Sequence, residues 1–139
     1  MQDEPTPTEL IKAVADFLRN EITPAIKGHN AFKLRVAING LDLVTRQLAL
    51  EGDSDSAEAA RLKQLLGMDG ALLDLNRALS DKIAKGEVDL QTPGLADHLW
   101  RTTMDKLAVD QPNYASYKRE LENKSGQRKS IRVRHCDER

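Results

Sequence analysis

Apolar residues recur at helical spacing through most of the chain. In "TPTELIKAVADFLRNEI", Leu10, Val14, Phe17 and Leu18 follow a helical period behind a start signal. Thr6 is the N-cap, Pro7 suits the first helical position, and Glu9 completes a capping box. Pro24 is expected to end this helix or restart it. "KGHN" reads as a loop, with Asn30 as the next cap. Further on, "EGDSDSAE" reads as a turn, after which Asp55 and Glu58 have capping-box spacing for a short helix to Leu66, before Gly67. "MDGALLDLNRALSDKIAKGE" is a helix with Leu72, Leu75, Leu79 and Ile83 on one face and Gly86 at its C′ position. Thr92-Pro93 repeats the Thr-Pro start, and the helix behind it turns Ala96, Leu99, Trp100, Met104 and Leu107 to the apolar side. A shorter helix begins near Pro112 and docks Tyr114 and Tyr117 on the rest. No period continues past Lys124.

One stretch, "FKLRVAINGLDLVTRQL" from Phe32 to Leu48, carries two competing patterns. Up to Asn39-Gly40 its apolar residues alternate as in a hairpin arm that leads to a tight turn. After the turn the alternation fails: Thr45 and Gln47 fall on the apolar face, and Val44 and Leu48 fall outside it. A lone two-stranded hairpin is also marginal in water. As a helix, Leu34, Ala37, Ile38, Leu41, Val44 and Leu48 form one broad stripe, and Phe32, Val36, Leu43 and Leu50 form a second on nearly the opposite side. The helical reading costs only Gly40, about 1 kcal/mol against Ala. A helix apolar on two sides belongs at the centre of a bundle, or between its own subunit and a partner. The expected fold is therefore all-α: a compact bundle of five or six helices, with the helix over about 31–50 central. A homodimer through one stripe of that helix is expected.

Composition narrows the classes. The 139 residues fit one domain, with aromatics at only 4%, which favours helices over sheets. No apolar run approaches the roughly 20 residues of a membrane span, and "MQDEPTPTE" lacks the apolar region of a signal peptide. The single cysteine, Cys136, has no internal partner, which fits a reducing cytoplasm. The net charge of −1 divides unevenly. Residues 123–139 hold six Lys/Arg against two Asp/Glu, leaving fifteen against twenty elsewhere. We read residues 1–122 as a single helical domain and 123–139 as a flexible basic tail.

On the central helix, Arg35, Asn39, Asp42 and Arg46 are spaced four, three and four, so they stack in one polar line between the two stripes. Two guanidiniums and an amide in line suit a carboxylate or phosphate. The bland alternative pairs Asp42 with Arg46, and Arg35 with an acid on a neighbouring helix. His29, His98 and His135 lack metal-ligand spacing, so no metal is expected, and His98 reads as a surface or rim residue. No phosphate loop, dinucleotide fingerprint or nucleophile elbow is present, so no cofactor is expected and no catalytic set assembles. The basic tail is the one feature that would suit nucleic acid, and its simpler role is to solubilise.

"FKLRVAINGLDLVTRQL", "RLKQLLG" and "HLWRTTMDKLAVDQPNYASY" together resemble a family of small bacterial helical proteins known only as a domain of unknown function. The resemblance spans roughly residues 8–117 and rests on Arg35-Val36-Ala37, Asn39, Arg46 and the stretch ending at Tyr114. Gln47 stands where the pattern suggests Glu. Members of that family are encoded beside aminoglycoside-phosphotransferase-like kinases and acyl-CoA dehydrogenases. The resemblance therefore implies a non-catalytic accessory or binding protein for a phosphotransferase-like or acyl-CoA-metabolising enzyme. A small enzyme with its polar site on the central helix, and a nucleic-acid binder using the tail, are the alternatives.

Overall fold

The computed structural model describes residues 4–123. The expected tail lies outside them except for its first residue, as do His135 and Cys136. Every regular element among the described residues is helical. Helix α1 is Pro7–Phe17, followed by a π-helical turn, Leu18–Ile22, and a short 3-10 turn, Thr23–Ala25. Helix α2 is His29–Leu66, α3 is Leu72–Ala84 and α4 is Leu95–Asp110. A further helical stretch runs over 115–123. The other helices pack around α2: α1 and the turn behind it meet it near Asp42, α3 near Glu58, and α4 from Arg46 to Arg61.

The start of α1 forms as its residues dictate. The Thr6 hydroxyl accepts from the Glu9 N–H, and the Glu9 carboxylate accepts from the Thr6 N–H at 2.8 Å. Those bonds hold the Glu9 carboxyl below its usual range. The buried face of α1 differs from the expected one. Ala15 is buried with Ile11 and Leu18 half-buried beside it, while Leu10, Val14 and Phe17 are open to solvent. Pro24 lies in the 3-10 turn, and α2 starts at His29 behind Gly28, whose φ of 67° only glycine adopts readily. Asn30 is therefore inside the helix and caps nothing.

The main correction concerns length. The stretch 51–58 is not a turn, and α2 runs through it unbroken for 38 residues. Two contacts lay α4 alongside this weak segment. Arg46 holds the C-terminal end of α4, and Arg61 reaches Thr102 and Asp105 near its middle. Glu51, Ser54 and Glu58 are half-buried, while Asp53, Asp55 and Ser56 face solvent. The Ser56 hydroxyl donates back to the Gly52 carbonyl at 2.7 Å, which keeps it within the helix. Packing thus outweighs the local preference of Asp and Ser for caps.

The core lies at the C-terminal half of α2. Leu62, Leu75, Leu79 and Leu95 are buried together, with Leu65, Leu66, Leu72 and Val88 against them. Helix α3 ends in the two backbone bonds of a Schellman motif, from the Gly86 N–H to the Ile83 carbonyl and from the Glu87 N–H to the Lys82 carbonyl. Ile83 itself is exposed. Helix α4 starts at Leu95, not at Thr92-Pro93, because the Thr92 hydroxyl accepts from the Asp89 N–H upstream and is spent on that loop. Its buried face is Leu95, His98 and Met104, while Ala96, Leu99 and Trp100 are exposed.

Candidate functional site

Helix α2 brings Arg35, Asn39, Asp42 and Arg46 into one line, and the four meet three different fates. The Asp42 carboxylate accepts from Arg19 Nη2 with both oxygens at 2.8 Å, tying the π-helical turn behind α1 to α2. Arg19 also donates to Asp16 through Nη1 at 2.6 Å. The Asp42 and Asp16 carboxylates raise the Arg19 pKa above its ordinary value. Arg46 donates from Nε to the Val109 carbonyl at 2.7 Å. That carbonyl lies in the last turn of α4 and has no partner within its own helix, so Arg46 caps α4. The simple i, i+4 pair between Asp42 and Arg46 therefore does not form: each binds another helix. Arg35 and Asn39 are exposed, and neither has a polar partner among the described residues.

Asn39 stands on the rim of an open groove of about 600 Å³, floored by Gly40 and Arg46 and walled by Asp110, Pro112 and Tyr114. The Tyr114 ring is half exposed there, where it was expected to dock on the bundle. Phe32, Val36 and Leu43 of the second stripe lie alongside, all open to solvent.

The α2–α4 seam holds two groups that the sequence did not single out for a role. Arg61 makes only long contacts, from Nη2 to the Thr102 hydroxyl at 3.4 Å and to Asp105 at 3.6 Å, and its Nε is buried without a partner. His98 is 3% exposed, not a surface residue, and its Nδ1 is likewise buried and unpaired. Burial and the nearby Arg61 guanidinium lower its pKa, against the opposite pull of Glu58 and Asp97. The signal for His98 was its spacing: it follows Leu95 by three and shares that residue's face. Among the described residues, no group of His, Cys, Asp and Glu is arranged to hold a metal ion.

A family model for a domain of unknown function, DUF6285, matches residues 24–114. The chain belongs to the DUF6285 family. The DUF6285 match is narrower than the resemblance over 8–117: it omits α1 and ends at Tyr114. It contains Arg35, Asn39, Asp42, Arg46, Arg61 and His98, whereas Arg19, the partner of Asp42, lies outside it. No curated protein and no solved structure matches the chain. The family description assigns no activity, and no described helix is long and apolar enough to cross a membrane.

Proposed function

We propose that the protein is a non-catalytic accessory that binds an acidic segment of a phosphotransferase-like or acyl-CoA-metabolising enzyme in the cytoplasm, through Arg35 and Asn39. One observation carries this reading. Arg35 presents a full guanidinium to solvent, and no described side chain uses it. The Asn39 amide, one turn on, adds a donor at the groove rim. Phe32, Val36 and Leu43 add an apolar margin, which a protein segment would cover and a free anion would not. The enzyme class follows the family resemblance described above.

A pull-down of the tagged full chain from its native cytosol tests this, with wild type beside Arg35→Ala/Asn39→Ala. Arg46 is left intact because it caps α4. We expect the wild type to retain a kinase-like or acyl-CoA enzyme, the double variant to lose it, and added salt to weaken the contact. Equal recovery by both versions overturns the proposal.

A further inference from the structure

The seam between α1 and α2 has two flanks. On one, Arg19 of the π-helical turn behind α1 pairs with Asp42 of α2. At 100° per residue, Leu10, Val14 and Phe17 leave α1 on the other flank, and Val44 and Leu48 leave α2 on that same flank. These five side chains are between 40% and 55% exposed. They make an apolar face two helices wide, on the side of α2 opposite Arg35 and Asn39. Beneath it only Ala15 and Ile38 are buried. Helix α4 lies along α2 from Arg46 to Arg61, and α3 joins it at the four-leucine cluster. On this flank, however, the α1–α2 pair carries no second layer among the described residues, and an all-helical core needs two.

We propose that a second copy of this chain supplies the missing layer, with two α1–α2 pairs stacking face to face as a four-helix bundle about a two-fold axis near Val44. The charges on this flank of α2 select that occupant and its direction. Lys33 lies eleven residues before Val44 and Asp55 eleven after it. Both are exposed, and neither has an ion-pair partner among the described residues. Antiparallel stacking about Val44 sets Lys33 of each copy against Asp55 of the other. Parallel stacking would oppose like charges. The self-complementary pattern closes on itself, as an isologous interface must. This inference goes beyond the accessory role and does not depend on it, since it uses the other flank of α2.

Sedimentation of the full chain through the micromolar range tests it. The wild type should be a dimer. Leu48→Glu should be monomeric, with helical content unchanged by circular dichroism. Lys33→Glu alone should weaken the dimer about tenfold by opposing like charges, and adding Asp55→Lys should recover it. A monomeric wild type overturns the proposal. A dimer indifferent to Leu48→Glu overturns it too, because the contact then lies elsewhere. Failure of the charge exchange to recover what Lys33→Glu loses overturns the antiparallel arrangement about Val44.

Discussion

At the scale of single residues, the informative positions are those whose polar groups are enclosed. Burial and then the Arg61 guanidinium disfavour the His98 cation, so His98 has a pKa below the ordinary histidine value. In the unfolded chain it takes a proton near pH 6.5, while the folded form does so only at lower pH. Between those two values the unfolded state binds more protons, so His98 favours folding fully above about pH 6.5 and progressively less below it. Urea midpoints measured from about pH 7.5 downward should fall as pH drops through this range, and the slope should shrink in His98→Gln. An unchanged slope in that variant would assign the pH response to other groups. The position was misread because His98 is not among the expected apolar-face residues Ala96, Leu99, Trp100, Met104 and Leu107, whereas the buried face starts at Leu95, three residues earlier.

At the scale of elements, the long α2 invites a direct test at its weakest stretch. Gly52 has helical geometry and open space where a Cβ would stand. Gly52→Ala should therefore raise stability by about 0.5–1 kcal/mol. Ser54→Pro should lower it by about 3 kcal/mol or more. Had residues 51–58 formed a turn, the proline would be tolerated. Thermal or denaturant unfolding of the two variants decides between the arrangements. Local chemistry was legible wherever the bonds are local. The Thr6–Glu9 capping box and the Gly86 terminus were read directly, and the Phe32–Leu48 helix emerged from its period. The run through 51–58 was not legible, because α4, held by Arg46 and Arg61 from 63 and 41 residues away, splints a segment whose own residues prefer to turn. The polar line of Arg35, Asn39, Asp42 and Arg46 was legible as a line. Its partners Arg19 and Val109 were not, since both belong to other helices.

At the scale of the molecule, the two halves of α2 are held unequally. The four-leucine cluster joins α2, α3 and α4 at one end. At the other, α1 and the turn behind it rest on Ala15, Ile38 and the Arg19–Asp42 pair. In the Leu48→Glu chain, native-state hydrogen exchange should show the α1 amides opening well before those around Leu62, Leu75 and Leu79. Equal protection of α1 and α3 would mean that the ends are coupled more tightly than their buried residues indicate.

The uninterrupted α2 also makes spacing a heritable dimension. One residue inserted between Leu48 and Asp53 would advance everything beyond it by 1.5 Å and rotate it by 100°. The faces for α3 and α4 would then turn away from the bearings set by α1, Arg35 and Asn39, although no contacting residue had changed. Seven inserted residues would nearly restore the bearing, to within about 20°, and lengthen the molecule by about 10 Å. Length in this segment is therefore constrained by the helical turn: insertions close to a whole number of turns keep the bearing, and others do not.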